Sequence, residues 1–229
     1  IIMIALTGFQ IIEELHRGEK SIVYRATNNN KPVILKYLNS EYPSNTELKN
    51  FRSEYDILSK YNLKNSVKAI QLEAYKNSLV IVFEDIGAAS LARIIKEKKF
   101  FQIKEFLEVA LAIAKSLHEL GENQIIHKDV KPHNIIYNPL TKVVKIIDFG
   151  SASLLSKENP EINMKNNLEG TLAYISPEQT GRMNCNVDYR TDFYSLGISL
   201  YQMIVGELPF NTVDPMELVH SHIAVNPIP

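Results

Sequence analysis

The sequence of 229 residues contains no tryptophan, a single cysteine (Cys185) and almost no net charge, with 25 Lys and Arg against 26 Asp and Glu. One cysteine excludes an intrachain disulfide and is typical of a reducing compartment. The formal charge of −1 argues against a basic field that would recruit nucleic acid or an anionic membrane. Any phosphate binding must therefore come from local geometry, and nucleic acid is not an expected partner.

Long apolar runs are also lacking. No run approaches the roughly 20 apolar residues that a transmembrane helix needs, so no membrane segment is expected in this chain. Residues 1–9 are apolar but have neither a basic n-region nor a small-residue cleavage site, which argues against a signal peptide. With 45% hydrophobic and 22% charged residues, the composition is that of a soluble globular protein, and we expect a cytoplasmic chain of one large or two small domains.

The first third of the sequence predicts an antiparallel sheet with one helix. β-Branched and aromatic residues dominate five stretches, and three asparagines at 28–30 separate the second stretch from the third as a turn. The predicted strands are residues 9–15, 21–27, 32–38, 67–74 and 78–84. Between the third and the fourth, residues 46–61 carry apolar residues at spacings of three or four, which predicts an amphipathic helix.

The rest of the chain is mostly helical in pattern. Residues 101–120 predict a helix that ends at Gly121. Its expected core face consists of Ile103, Phe106, Leu107, Ala110, Leu111, Ala114 and Leu117. Residues 192–206 are apolar nearly all round, which predicts a buried helix. Asp214 and Pro215 suit the N-cap and first position of a last helix.

The chemistry is concentrated in one short stretch between apolar runs, HKDVKPHN at residues 127–134, which predicts a loop. Asp148 follows an apolar strand fourteen residues after Asn134. Oxygen ligands from Asn134 and Asp148 suit Mg²⁺ with phosphates in its other positions. Asp129 is then the carboxylate that can accept a proton from an attacking hydroxyl. Lys131 is placed to offset negative charge on a transferred phosphoryl group.

Five motifs carry a resemblance to the eukaryotic-type protein kinases. HKDVKPHN resembles their catalytic loop H-R-D-L-x-x-x-N, and DFG at residues 148–150 resembles their magnesium loop. VILK at 33–36 resembles V-A-I-K, SPE at 176–178 resembles A-P-E, and DFYSLG at 192–197 resembles the family's D-x-W-S-L-G helix. Any one motif alone would be weak, whereas five in register, from about Phe9 to the end, identify the family.

The resemblance implies an α+β fold with two lobes in one kinase domain, residues 9–229. The first lobe, residues 9–86, would be a small antiparallel sheet with one helix. The second, residues 87–229, would be larger, mainly helical and incomplete at its C-terminus. The implied function is ATP- and Mg²⁺-dependent phosphoryl transfer to serine or threonine hydroxyls of protein substrates in signalling.

The resemblance also assigns roles to the polar residues. Lys36 would hold the α- and β-phosphates of ATP and be oriented by Glu54. Asp148 and Asn134 would hold Mg²⁺. Asp129 would orient the substrate hydroxyl and accept its proton.

Two residues of this pattern imply specificity for serine and threonine. Lys131 stands two positions after the catalytic aspartate, as it does in serine/threonine-specific members. Thr171, in the Gly170-Thr171 pair, would bond back towards Asp129 and Lys131.

The adenine pocket is implied by position alone. The backbone of Glu84 and Ile86, after the fifth strand, would bind adenine, and Phe83 takes the gatekeeper position. The apolar roof and floor of the pocket would come from Leu15, Val23, Ile34 and Ile136.

The phosphate-covering loop departs from the family pattern G-x-G-x-x-G. His16, Gly18 and Ser21 occupy the three glycine positions. Gly18 still permits close approach of the backbone to phosphate, and Ser21 is small. Because His16 is the true deviation, we expect weaker nucleotide affinity or a stiffer loop, without loss of the site.

Two further departures concern regulation and completeness. Lys128 replaces the arginine that clamps a phosphorylated activation loop, and lysine forks less well, so we expect activity that does not require loop phosphorylation. The arginine that pairs with the glutamate of A-P-E, here Glu178, is missing, and a buried carboxylate without its partner is costly. We therefore expect a fragment of a longer protein or a truncated lobe.

Two other functions remain open on the sequence. A pseudokinase or nucleotide-binding scaffold is favoured by His16, Ser21 and the short C-terminus, whereas the intact catalytic residues argue against it. A small-molecule phosphotransferase can share the two loops, but GTLAYISPEQ at residues 170–179 is typical of a platform for protein substrates.

A finer resemblance covers residues 174–184 and 187–197. These stretches are similar to the kinase domain at the front of very large bacterial signalling proteins, in which ATPase, sensor and histidine-kinase modules follow. The expected partners are then the downstream domains of the same polypeptide. Two nearby residues are expected to be structural, His127 through packing and Asp192 through bonds to the backbone of the catalytic loop.

Overall fold

The computed structural model describes residues 6–98, 101–157, 172–183 and 185–227. The chain forms two compact units. The first comprises the described residues up to Ala88 together with Asp148–Gly150, and the second comprises Ala89–Ile147 and the described residues from Ser151 onward.

The first unit is built on a five-stranded antiparallel sheet. Its strands are β1 (Phe9–Arg17), β2 (Ser21–Asn28), β3 (Lys31–Leu38), β4 (Ala69–Tyr75) and β5 (Ser78–Glu84). They lie in the order β1-β2-β3-β5-β4. The predicted asparagine turn is confirmed, because Asn29 and Asn30 have φ values of 49° and 62°, in the left-handed region that asparagine tolerates. The predicted strands are confirmed with ends that move by a few residues.

The two faces of this sheet have different surroundings, because successive side chains of a strand point to opposite faces. One face carries the buried core, with Ile22, Tyr24, Ala26, Val33, Leu35, Val80 and Val82. The register pairs Lys36 with Val23 and with Ile81, and it pairs Ile34 with Phe83. These five side chains therefore share the opposite face, which carries part of the predicted nucleotide site.

A single helix, α1 (Asn45–Lys60), follows β3 and begins with a complete capping box. The Ser44 hydroxyl accepts from the Glu47 N–H at 3.2 Å, while the Glu47 carboxylate accepts from the Ser44 N–H at 2.8 Å. Both groups satisfy backbone donors that the first turn of a helix otherwise leaves unpaired. The helix buries Phe51, Ile57 and Leu58, and with them the carboxylate of Glu54.

The second unit is mainly helical with short strands. Its helices are α2 (Leu91–Lys98), α3 (Ile103–Glu122), α4 (Arg190–Val205) and α5 (Pro215–Ala224). Its strands are β6 (Ala89–Ser90), β7 (Ile125–Ile126), β8 (Ile135–Asn138), β9 (Val143–Ile146) and β10 (Ser153–Leu154). Strands β6, β8 and β9 form one antiparallel sheet, and β7 pairs with β10. The β8–β9 hairpin starts directly after the HKDVKPHN loop.

The predicted core face of α3 is wrong in part. Phe106 and Leu117 are buried, but Ile103, Leu107 and Leu111 are 69%, 58% and 57% exposed. The helix carries two apolar stripes, and the buried one continues through Val109, Ile113 and Leu120. Apolar spacing alone does not tell which of two stripes faces the core.

The predicted end of α3 at Gly121 is also wrong. The helix continues through Gly121 to Glu122, and Asn123 is its C-cap, with its N–H directed at the Glu119 carbonyl. Glycine favours a helix end but does not force one, because its cost inside a helix is only about 1 kcal/mol.

The predictions for the last two helices have different outcomes. The prediction that α4 is buried all round is wrong in part: Met203 is fully buried, whereas Phe193 and Ile204 are exposed. The N-cap of α5 is confirmed, because Asp214 accepts from the N–H groups of Met216 and Glu217 at 2.7 and 3.1 Å. In the part of the chain that the structure describes, no helix combines the length and apolar character needed to cross a membrane.

The capping box of α1 predicts a specific stability loss. Ser44→Ala should lower the free energy of unfolding by about 1 kcal/mol, because the Glu47 N–H loses the hydroxyl oxygen that accepts from it. Urea unfolding followed by circular dichroism measures it.

Ser53→Ala is the matched control. Ser53 is an exposed interior residue of the same helix, and alanine has the higher helix propensity, so this variant should be neutral or slightly more stable. Equal losses for both variants would contradict the role of the cap.

Candidate active site

A buried cation between two carboxylates forms the polar centre of the first unit. Lys36 Nζ lies 2.8 and 2.7 Å from Oε1 and Oε2 of Glu54, and 2.8 Å from Oδ1 of Asp148. The side chains of Lys36 and Glu54 are only 12% and 2% exposed. Strand β3, helix α1 and the DFG segment thus bring together three residues that were predicted from separate motifs.

The charges of this cluster depend on one another. Burial alone would lower the pKa of Lys36, but Asp148 and Glu54 outweigh it and hold that pKa above its ordinary value. Burial raises the pKa of Glu54, and Lys36 offsets this only in part. Lys36 therefore stays protonated at neutral pH, and it is the group that makes the buried Glu54 carboxylate tolerable.

The predicted adenine-binding segment begins at Glu84, the last residue of β5, and is held by main-chain and side-chain hydrogen bonds. The Glu84 N–H donates to the Lys68 carbonyl at 3.1 Å, and Glu84 Oε1 accepts from the Lys68 N–H at 2.9 Å. Asp85 accepts from Arg25 Nε at 2.7 Å and from the Gly87 N–H at 2.8 Å. The backbone around Ile86 is thereby held from both sides.

The apolar residues predicted around adenine fall in different settings. Val23 and Ile34 are half-buried on the Lys36 face of the sheet, and Phe83, beside Ile34, is buried. Leu15 lies at a register shift of β1 between Glu14 and His16 and is 39% exposed. The fourth of these apolar residues is half-buried on β8 of the second unit; it is Ile136.

The predicted phosphate-covering loop is the turn between β1 and β2. The Gly18 N–H donates to the Ser21 carbonyl at 2.9 Å, which closes the turn. A Cβ at position 18 would stand 3.2 Å from Nε2 of His16, so the imidazole packs against the glycine. His16, which departs from the family pattern, therefore lies against Gly18, the one glycine of the pattern that is retained.

In the second unit, the loop after β7 brings Asp129, Lys131 and Asn134 together. Asp129 Oδ2 lies 2.8 Å from Lys131 Nζ and accepts from Asn134 Nδ2 at 2.7 Å. The same amide nitrogen donates to the Asp129 carbonyl at 2.9 Å. The other carboxylate oxygen, Oδ1, is buried and has no hydrogen-bond partner among the residues that the structure describes.

The backbone of this loop is held from α4. Asp192 accepts from the N–H groups of His127 and Lys128, both at 2.8 Å, as predicted. Burial raises the pKa of Asp192, and the two donors oppose that rise. His127 is fully buried, and its Nε2 donates to the Ile147 carbonyl at 3.1 Å, which agrees with a structural role.

Three other predicted positions have mixed outcomes. Thr171 lies outside the described residues. Glu178 is half-buried and accepts from Thr191 Oγ1 at 2.7 Å, so its carboxylate has a hydrogen-bond donor although that donor is not an arginine. Lys128 has a φ of 65°, in the left-handed region.

Three residues of the site were missed at the sequence level. Arg25 and Asp85 pair across 60 positions of sequence, and Gln179 donates to the Lys128 carbonyl across 51. None stands in a catalytic motif of its own. The only available signals were the turn-forming Asp85 before Gly87 and the position of Gln179 next to the A-P-E-like segment.

Comparisons with known proteins agree with this geometry. Residues 9–226 match the family model of the protein kinase domain. The chain belongs to the protein kinase domain family. It is 34% identical over 224 residues to a probable serine/threonine-protein kinase of Clostridium perfringens, which covers 96% of this chain and 32% of that protein. It is 29% identical over 219 residues to the serine/threonine-protein kinase PrkC of Bacillus subtilis, which covers 94% of this chain and 33% of PrkC.

A third relative is the serine/threonine-protein kinase PknB of Mycobacterium tuberculosis, at 35% identity over 149 residues, 65% of this chain and 23% of PknB. The kinase domain described here thus spans about a third of the length of the first two relatives and less of the third. The α+β fold with a β-sheet lobe and a helical lobe is that of the family.

The cluster around Lys36 predicts a pH-dependent stability loss in this kinase domain. Lys36→Met should lower the free energy of unfolding by about 3–5 kcal/mol at pH 7, because it leaves the Glu54 carboxylate buried without its cation. Burial raises the pKa of Glu54 in the folded state above its unfolded value, so the folded state binds the proton more tightly. The loss should therefore shrink as pH falls towards 5 and grow as pH rises, which urea unfolding at several pH values measures.

The double variant Lys36→Met with Glu54→Gln provides the control. Removing the carboxylate charge should restore much of the stability and flatten the pH dependence. A single variant whose loss is the same at every pH, with no recovery in the double variant, would show that the buried charge is not the cause.

Proposed function

We propose that this kinase domain transfers the terminal phosphoryl group of ATP to serine and threonine hydroxyls of protein substrates. The observation that carries the proposal is the carboxylate of Asp129. One of its oxygens is held by Lys131 and Asn134, while the other is buried without a donor among the described residues. A buried acceptor without a donor costs free energy, and a substrate hydroxyl is the donor that would satisfy it.

In this proposal Asp129 orients the hydroxyl and accepts its proton as the oxygen attacks phosphorus. Lys131, already 2.8 Å from Asp129, offsets negative charge on the phosphoryl group in transfer. Thr171 supports these two residues as the family pattern implies. Because the base is already held by two neighbours, little reorganisation accompanies the attack.

The nucleotide roles fall mainly to the first unit. Lys36, held by Glu54, binds the α- and β-phosphates of ATP, and the backbone of Gly18 and Ser21 covers them. The backbone of Glu84 and Ile86 binds adenine. The apolar side chains around the adenine ring are Leu15, Val23, Ile34 and Ile136.

Magnesium is the metal that this donor set suits. We assign Mg²⁺ ligation to the Asp148 carboxylate and to the amide oxygen of Asn134, since hard oxygen ligands are what Mg²⁺ takes together with phosphates. The Asn134 amide nitrogen is committed to Asp129, which leaves its oxygen for a cation. The metal, when bound, neutralises phosphate charge.

We further infer that the kinase domain comprises residues 9–229, with lobes 9–86 and 87–229, and acts in the cytoplasm within a longer signalling protein. The relatives are about three times as long as the matched segment, which supports further domains as partners. The resemblance of residues 174–184 and 187–197 favours the large bacterial proteins with ATPase, sensor and histidine-kinase modules.

A phosphoryl-transfer assay with labelled ATP, Mg²⁺ and a generic protein substrate tests the proposal. Asp129→Asn should lower kcat about 10²- to 10⁴-fold, the range that general base catalysis contributes, with nucleotide binding retained. Chelation of Mg²⁺ should abolish transfer.

Asp56→Asn is the control, because Asp56 is an exposed residue of α1 whose carboxylate lies 3.3 Å from Lys60 Nζ at the surface. Its activity should equal that of the wild type. Full activity of Asp129→Asn would refute the assignment of the base, and a wild type that binds ATP without transferring phosphate would favour the nucleotide-binding scaffold.

A further inference from the structure

We propose that Gln179 is a positioning residue for the catalytic base, acting through the main-chain carbonyl of Lys128. The inference rests on the proposed function, since it concerns the orientation of Asp129. Segment 176–180 would then contact the catalytic loop directly, through one hydrogen bond from Gln179 Nε2 to the Lys128 carbonyl oxygen at 2.9 Å.

Lys128 has a left-handed backbone conformation. Its φ of 65° is one that residues with a Cβ disfavour, because the Cβ crowds the following carbonyl oxygen. Such a conformation persists only where its surroundings over-determine it. Here the N–H of Lys128 donates to Asp192 Oδ1 at 2.8 Å, and its carbonyl accepts from Gln179. The residue that precedes Asp129 is thus held at both of its peptide groups by side chains.

The contacts of the Gln179 amide determine which of its ends faces Lys128. Its Oε1 accepts from the N–H of Ser176 at 3.1 Å and lies 3.1 Å from the Ser176 hydroxyl. A main-chain N–H can only donate, so Oε1 must face Ser176 and the NH₂ group must face Lys128. A carbonyl can only accept, and the contact at Lys128 therefore agrees with the same orientation. A side-chain amide, with an acceptor at one end and donors at the other, satisfies both ends.

Segment 176–180 is also hydrogen-bonded to the first turn of α4. Ser176 Oγ lies 3.4 Å from Thr191 Oγ1, and Thr191 also donates to Glu178. Thr191 is buried and directly precedes Asp192, which holds the other side of Lys128. The first turn of α4 therefore fixes the catalytic loop and the 176–180 segment separately, and Gln179 joins these two directly.

The consequence concerns the base itself. A turn of the Lys128 peptide would change the direction in which Asp129 leaves the loop, and misplacement of a reacting group by about 1 Å can cost roughly 10²-fold in rate. The link uses a main-chain carbonyl, so it does not depend on the side chain at position 128. It also uses no phosphate, which agrees with the expectation that activity does not require loop phosphorylation.

The test compares Gln179→Glu and Gln179→Leu with the wild type in the phosphoryl-transfer assay. Gln179→Glu keeps the acceptor for Ser176 but turns an acceptor towards the Lys128 carbonyl, and Gln179→Leu removes the side-chain bonds to both residues. We expect kcat to fall about 10- to 100-fold in each, with KM for ATP within about twofold of the wild type. If Gln179→Leu fails to fold, the nearly isosteric Gln179→Glu decides.

Gln202→Leu is the matched control. Gln202 is a half-buried glutamine of the same unit that accepts from Tyr174 Oη at 2.7 Å and is placed outside the catalytic loop. It should lose comparable thermal stability yet keep its kcat. Equal losses of kcat in the Gln179 and Gln202 variants, or unchanged kcat in both Gln179 variants, would overturn the positioning role.

Hydrogen exchange separates this inference from the proposed function. The amides of Lys128 and Asp129 should exchange at least tenfold faster in the Gln179 variants, with α4 unchanged, whether or not the wild type transfers phosphate. If the wild type transfers no phosphate but the Gln179 variants still exchange faster than it does, the link is supported and only the kinase assignment fails. Unchanged exchange at both amides would overturn the link, even in an active enzyme.

Discussion

The carboxylate of Asp192, which is 3% exposed, is the constraint on which the catalytic half of the molecule depends. A charge taken out of water must find donors, and here they are the consecutive main-chain N–H groups of His127 and Lys128. Both donors belong to the loop that carries Asp129, so satisfying the buried charge also fixes the base. The hydrogen bonds that stabilise the buried Asp192 carboxylate therefore also position the Asp129 carboxylate.

The first unit follows the same logic with the signs reversed. Lys36 is a buried cation, and the carboxylates of Glu54 and Asp148 surround it. Each of the three comes from a different kind of element: a strand, a helix with a capped N-terminus and a short turn. Rigid elements set the positions of such groups more accurately than loops do, because their backbone hydrogen bonds leave little freedom. Charge pairing and regular secondary structure thus reinforce each other.

Sequence reasoning reached those features whose partners are close in the chain. Asp129, Lys131 and Asn134 lie within six residues, so their spacing alone indicated a shared site. Distant pairs were reached only where the family pattern includes both members, as for Asp192 and the backbone of His127 and Lys128. Nothing near Gln179 indicates a bond to Lys128, 51 positions earlier. The two apolar stripes of α3 show a second limit, because a period gives the faces of a helix but not which one the core will cover. The roles of individual residues in nucleotide binding rest on family pattern and position.

Strand β1 has a consequence for the behaviour of the domain in concentrated solution. It forms an edge of the five-stranded sheet, and most of its side chains are exposed. An open edge invites pairing with a strand of another molecule, but two register shifts interrupt the ladder of β1, and Glu13, Glu14 and Arg17 place charges along it. The same irregular, charged strand that leads into the turn at Gly18 therefore also discourages edge-to-edge aggregation.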